Sequence, residues 1–203
     1  MNARRLGAVV IGASAGGIDA LSQLLPAFEP DCGVPVFVVV HLPRERPSRL
    51  PEIFAPRCRL SVREAEDKQP VEPATLYFAP PDYHLLIDDG PVLALSSDEP
   101  VHYSRPSIDV LFESAADQYG SVLLGVVLTG ANSDGAAGLA AVQRAGGLTV
   151  VQDPRSAAAS AMPAAALKAA TGSLCLTLTQ IADLLRVLRH TQLPALTSVW
   201  TRA

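Results

Sequence analysis

Three apolar runs, Ala8 to Ile11 (AVVI), Val34 to Val40 (VPVFVVV) and Val122 to Leu128 (VLLGVVL), constrain this chain more than any other feature. None of them alternates apolar with polar residues, and β-branched side chains dominate. A strand of that kind has no solvent face, so it belongs in a parallel sheet covered on both sides. Pro35 fits only at the start of its run, where a missing N–H does least harm to the ladder. Between the runs apolar residues recur at helical spacing: Ile18, Leu21, Leu24 and Leu25 after the first, and Ile108, Leu111, Phe112 and Ala115 before the third. The alternation predicts an α/β fold, a doubly wound and mostly parallel sheet with helices on both faces.

Shorter signals fill in the rest. Ile53-Phe54 suggests a short helix and Arg59 to Val62 a strand. Leu76 to Ala79, Leu85 to Ile87 and Val92 to Leu95 are short, and Asp88-Asp89-Gly90-Pro91 is a turn signal. A small antiparallel hairpin insertion or edge is expected there. Ser107 is placed to cap the helix that follows it. Further on we expect a helix from about Ala136 to Ala145, a strand Leu148 to Val151, a helix near Ala164 to Ala170 signalled by Met162-Pro163, a strand Leu174 to Leu176 and a helix Ile181 to His190. At 203 residues the chain buries roughly 70% of its unfolded surface around one core. A single domain is expected over residues 1–192, with a tail over 193–203.

Composition removes several classes of function. The chain is 49% hydrophobic and 18% charged with a formal net charge of −4, and its Lys and Arg are scattered. Nucleic-acid binding would demand clustered phosphate neutralisation. Cys32, Cys58 and Cys175 are far apart and form no C-x-x-C pair, which reads as reduced, buried thiols in a cytoplasm and no metal site. The opening MNARRLGAVVIGAS superficially suggests a secretory signal, but its apolar run stops at Gly12 and continues into a patterned domain. No window approaches the ~18 apolar residues of a membrane span, so a soluble, cytoplasmic protein is expected.

Chemistry in open parallel sheets gathers outside the carboxyl ends of the strands. Ser14 stands past the first run, in Gly12-Ala13-Ser14-Ala15-Gly16. That stretch permits three readings: a G-x-S-x-G nucleophile elbow, a dinucleotide loop, or a plain strand-to-helix turn. His41 follows the second run, in VVVHLP. Asp134 follows the third, in Thr129-Gly130-Ala131-Asn132-Ser133-Asp134-Gly135. Serine, histidine and aspartate are the three types of a nucleophilic relay, in which an imidazole accepts the hydroxyl proton and a carboxylate fixes the imidazole. The N–H groups of Ala15 and Gly16 are placed to stabilise an oxyanion. Rival uses remain for each: His84, His102 and His190 are other imidazoles, and Asp134 could cap the helix starting at Ala136. A nicotinamide-dependent reductase would need a ribose-reading residue where His41 stands. It would also need a Tyr-x-x-x-Lys pair, and no tyrosine here has a lysine four residues on.

The segments VVIGASAGGIDAL (9–21), VVVHLP (38–43), LYFAPPDYHLLI (76–87), SRPSIDVLFESAA (104–116), GVVLTGANSDGAAGLAAVQRAGG (125–147) and SAMPAAAL (160–167) together resemble the catalytic domain of the CheB family, the chemoreceptor glutamate methylesterases. The resemblance implies a cytoplasmic serine hydrolase with Ser14 as nucleophile, His41 as base and Asp134 as orienting acid. It implies removal of methyl groups from glutamate methyl esters on chemoreceptor cytoplasmic domains, possible deamidation of receptor glutamines, and no cofactor. The family's G-M-G-x-D-G loop is changed here, with Ala131 for methionine and Asn132 for glycine, a residue that tolerates a left-handed backbone. Its S-T-G-G becomes Ser14-Ala15-Gly16-Gly17. Ala15, Gly16, Ala131, Asn132 and Arg105 are accordingly the oxyanion or substrate-site candidates. Family members typically carry an N-terminal receiver domain, whereas the first strand here begins within ten residues of the start. A stand-alone catalytic domain regulated through a partner in trans is the expectation. The alternatives are a CheB-like binding module with weak turnover and, further off, a nicotinamide-binding oxidoreductase.

Overall fold

The computed structural model describes residues 5–42 and 47–188. The three apolar runs become β1 (Ala8–Ala13), β2 (Val36–Val40) and β7 (Leu123–Val127), every residue of them buried. Around them lie β3 (Ser61–Glu64), β4 (Thr75–Phe78), β8 (Leu148–Gln152) and β9 (Leu174–Leu176). The seven strands form one sheet in the order β3-β4-β2-β1-β7-β8-β9, and each neighbouring pair is parallel.

Successive side chains of a strand point to opposite faces, and the core divides accordingly. Val9, Ile11 and Ala13 of β1 and Val36, Val38 and Val40 of β2 pack with Leu21 and Leu24 of α1 (Gly17–Leu24), Phe54 of α2 (Leu50–Phe54) and Ile181 and Leu184 of α6 (Leu178–Val187). Ala8, Val10, Phe37 and Val39 face the other way. They meet Ile108, Leu111 and Phe112 of α3 (Ile108–Tyr119), Leu139 and Val142 of α4 (Ala136–Arg144), and Met162 and Ala166 of α5 (Ala161–Ala169). An unalternating strand is what two covered faces require.

The expected hairpin is made by β5 (His84–Asp88) and β6 (Val92–Ser96), which pair antiparallel and bury Leu85, Ile87 and Leu93 beside α3. The third short run of that region belongs elsewhere: β4 lies between β3 and β2 in the main sheet, fully buried. All four residues of TLYF are buried, as a strand covered on both faces requires. The edge strand β3 runs later than the expected Arg59 to Val62. Two helices begin three residues earlier than expected, α5 at Ala161 and α6 at Leu178. In α6 the start is set by a capping box, Thr177 accepting from the Gln180 N–H while the Gln180 side chain accepts from the Thr177 N–H. His190 and the tail at 193–203 lie outside the described residues. Among the described residues no helix is long and apolar enough to cross a membrane.

Candidate active site

The chain leaves β1 toward β2 on one side and leaves β7 toward β8 on the other. Connections that diverge in this way open a crevice above the carboxyl ends of the two strands. Register makes those ends level: Ala13 stands opposite Val40, and Gly12 opposite Val127. The ladders continue just past the strands, with the His41 N–H donating to Ala13 O (3.2 Å), the Leu128 N–H to Gly12 O (2.9 Å) and the Ser14 N–H to Thr129 O (2.9 Å). Ser14, His41 and Thr129 are therefore neighbours on one edge.

Ser14 is the first residue beyond β1. Its carbonyl accepts from the Gly17 N–H at 2.7 Å, which closes the turn that starts α1. Gly16 takes the left-handed conformation (φ 77°), and a Cβ there would stand 2.6 Å from the Ala158 methyl. Gly16→Ala combines backbone strain with a clash, and the expected cost is about 1–3 kcal/mol, read as a lower denaturation midpoint together with reduced turnover. Ser14 is half-buried, and its hydroxyl bonds to no other described residue. The N–H groups of Ala15, Gly16 and Ala131 likewise have no acceptor among the described residues. An open helix start with idle donors suits a developing anion.

Asp134 is fully buried and is the most heavily bonded side chain of the crevice. His41 Nε2 lies 2.8 Å from its Oδ2, which also accepts from the Ile108 N–H at 2.8 Å. Its Oδ1 accepts from the Ser107 hydroxyl (2.8 Å) and from the N–H groups of Asp109 (3.0 Å) and Gly135 (3.0 Å). Asp134 thus serves the N-terminus of α3, and the rival reading of it as the cap of α4 does not hold, because that cap is Gly135 with no side-chain bond to it. Ser107 does occupy the N-cap of α3, yet its hydroxyl turns to Asp134 instead of its own helix. Burial pushes the Asp134 pKa upward, but the His41 ring, the Ile108 and Asp109 N–H groups and the Ser107 hydroxyl outweigh it and hold the carboxyl below its ordinary value. An ionised carboxylate only accepts, so the bonded Nε2 of His41 carries the ring proton and Nδ1 is left with the lone pair.

His41 lines two clefts. One, of about 370 Å³, is walled by Ser14, Gly16, Gly17, Val40, His41 and Leu42. The other, of about 190 Å³, is walled by His41, Leu42, Tyr103, Ser104, Arg105 and Pro106. Arg105 reaches this second cleft, but its guanidinium is engaged: Nε and Nη2 donate to Asp82 Oδ1 and Nη1 to the carbonyls of Ser97 and Asp98. Ala131 is exposed on the β7–α4 loop. Asn132 uses its side-chain oxygen to accept from the Asp134 N–H (3.2 Å), and its backbone is not left-handed; Gly135 (φ 91°) takes that conformation in this loop. His84 is buried, with Nδ1 accepting from the Ser107 N–H (3.1 Å) and Nε2 facing the Glu99 carbonyl (3.2 Å). His102 Nε2 lies 3.4 Å from Asp109 Oδ2 and half its side chain is exposed. Of the described histidines, His41 is the one bonded to Asp134. The donors that α3 gives to Asp134 leave no mark in the sequence beyond a helix start, Pro106-Ser107, ahead of β7.

A level strand edge with an idle serine, a carboxylate-bound imidazole and free N–H groups places this molecule among the α/β proteins that carry polar chemistry at the sheet's switch point. Comparison with known proteins is more specific. Residues 9–185 match the family model described as CheB methylesterase. A chain from Leptospira interrogans, provisionally named protein-glutamate methylesterase/protein-glutamine glutaminase, is 44% identical over 177 residues, 87% of this chain and 92% of that one. The protein-glutamate methylesterase/protein-glutamine glutaminase of Symbiobacterium thermophilum is 39% identical over 184 residues, 89% of this chain but 49% of that one. The crystal structure of the Thermotoga maritima CheB methylesterase catalytic domain superposes with a TM-score of 0.85 at 30% identity, covering 91% of this chain and all of that one. The chain belongs to the CheB methylesterase family, a family of ester hydrolases.

Proposed function

We propose that the protein hydrolyses γ-methyl esters of glutamate side chains on the cytoplasmic domains of chemoreceptors, with Ser14, His41 and Asp134 as its catalytic triad. The observation that carries this reading is the 2.8 Å bond between His41 Nε2 and Asp134, on an imidazole that shares one cleft with Ser14. Because Nε2 is committed to the acid, His41 Nδ1 is the atom that takes the Ser14 proton. The usual triad has the opposite arrangement, with the acid on Nδ1 and the base at Nε2; function depends on the relay and not on which nitrogen faces which partner.

In the first half-reaction Ser14 Oγ attacks the ester carbonyl and its proton passes to His41 Nδ1. The idle N–H groups of Ala15, Gly16 and Ala131 meet the oxyanion, each such donor contributing about 3–4 kcal/mol to the transition state. The tetrahedral species collapses, the imidazolium protonates the departing methoxide, and methanol leaves. Water then attacks the glutamyl-serine ester with His41 again as base, which frees the glutamate and restores Ser14. A glutamine side chain fits the same sequence with ammonia as leaving group, as the paired names of the relatives suggest. Asp134 keeps the imidazole oriented and stabilises its charged form. Family membership and the relatives' names support the substrate. Cys32 and Cys58 are half-buried and Cys175 is exposed, not buried as the sequence predicts, and their free thiols support a reducing cytoplasm.

The test is methanol release from receptor membranes carrying labelled methyl esters. Wild-type protein is expected to release label as methanol and leave unesterified glutamate; intact esters after prolonged incubation would overturn the assignment.

A further inference from the structure

We infer that Thr129 is a positioning residue for the nucleophile turn, its hydroxyl holding the turn's carbonyl inward so that the turn's N–H groups face the reacting carbonyl. The inference rests on the reading of Ser14 as nucleophile. Thr129 is 1% exposed and lies two residues beyond β7, and it touches the turn twice. Its carbonyl accepts the Ser14 N–H at 2.9 Å, and its hydroxyl donates to the Ala15 carbonyl at 2.8 Å. The hydroxyl has one proton, and the Ala159 carbonyl at 3.3 Å is the more distant acceptor. A lone pair of the same oxygen accepts the Ala159 N–H at 2.9 Å. The Thr129 N–H is itself held by the buried side chain of Gln152 at the end of β8, 2.9 Å away. One residue thus links the β1 turn to β8 and to the loop before α5.

Peptide planarity turns this anchor into an orientation. The carbonyl of Ala15 and the N–H of Gly16 belong to one rigid plane and point in opposite directions. A hydroxyl that fixes the carbonyl inward fixes the Gly16 N–H outward, and that N–H is among the donors with no acceptor. The preceding plane is fixed in the same way, because the Gly17 N–H holds the Ser14 carbonyl at 2.7 Å and leaves the Ala15 N–H free. The helix supplies the second of these anchors from within itself. Among the described residues the first comes from Thr129 alone, and valine at that position would keep its shape and lose it.

The experiment measures kcat and KM on methyl-esterified receptor for full-chain wild type, Thr129→Val, Thr129→Ala and Thr129→Ser, with amide hydrogen exchange over residues 14–17. Small misplacements of catalytic groups cost up to about 100-fold. We expect Thr129→Val to lose about 10–100-fold in kcat with KM unchanged and with faster exchange at Ser14 and Gly17, whose N–H groups are the bonded ones of the turn, and Thr129→Ser to restore both. Thr129→Ala replaces Thr129→Val in the comparison if the valine does not fold. Wild-type kcat in the variant lacking the hydroxyl, or a serine variant as impaired as the valine one, would overturn the inference. So would a loss confined to KM, or unchanged exchange in the turn. Absence of turnover in the wild type would instead overturn the hydrolytic reading, and the exchange data would still decide whether Thr129 holds the turn.

Discussion

We expect Ser14→Ala to abolish methyl release, with turnover falling by about 10⁴-fold or more, while the protein folds as before. Removing the nucleophile of a relay leaves only binding and oxyanion stabilisation, and in a well-built triad its loss costs nearly as much as losing every member. Stability is a separate matter. The Ser14 hydroxyl bonds to no other described residue, and the bonds that hold its turn are backbone bonds, to Thr129 O and from the Gly17 N–H. Alanine keeps both. The measurement is kcat beside a thermal melt of the same preparation: a fall in rate with an unchanged melt fits the account, and a retained rate would remove Ser14 from the mechanism.

Asp134→Asn has the second large effect, and it should damage both activity and stability. Five donors converge on the carboxylate: His41 Nε2, the Ser107 hydroxyl and the N–H groups of Ile108, Asp109 and Gly135. An asparagine has one oxygen to offer and places two further N–H groups among them. The imidazole then loses its anchor at Nε2 and can carry its proton at Nδ1, where a base is required. A loss of about 10³–10⁴-fold in kcat follows. Leaving buried donors unpaired costs about 1–3 kcal/mol as well.

Acid titration supplies a further signature of this site. The folded pKa of Asp134 is depressed, so the carboxylate's contribution to stability is fully present above the unfolded carboxylate range. It is lost as the pH falls through the lower folded value. Wild-type stability should therefore drop more steeply below about pH 4 than that of Asp134→Asn, as measured by denaturant melts across that range. Parallel curves would contradict the geometry around the carboxylate.

Much of this was legible in the sequence because it depends on local pattern. Unalternating runs such as VPVFVVV announce strands covered on both faces, and strands of that kind bring their carboxyl ends to one edge. The polar residues just past them, Ser14, His41 and Asp134, could be picked out before any fold was known. What was not legible depends on where distant elements land. TLYF at Thr75–Phe78 is too short for pattern alone to say whether it pairs with the main sheet or with its neighbours. Capping of α4, the helix that follows directly, was the rival reading of Asp134, and only the packing of α3 against the sheet brings the Ile108 and Asp109 N–H groups to it. Gly12 permits that approach, because a Cβ there would stand 2.3 Å from the Ile108 side chain. Asn132 looked like a tolerated left-handed residue, yet it works through its side-chain oxygen. Nor does the order Ser, His, Asp say which ring nitrogen faces the acid; the direction from which β2 delivers the ring decides that.

The most direct test of Ser14 as an activated nucleophile is to trap it. Wild-type protein treated with a fluorophosphonate, which phosphonylates serines activated by a neighbouring base, is digested and its modified peptide located by mass spectrometry. The account predicts a single adduct at Ser14, absent from Ser14→Ala and strongly slowed in His41→Ala. An adduct at a different serine, or labelling of Ser14 at the same rate without His41, would contradict it.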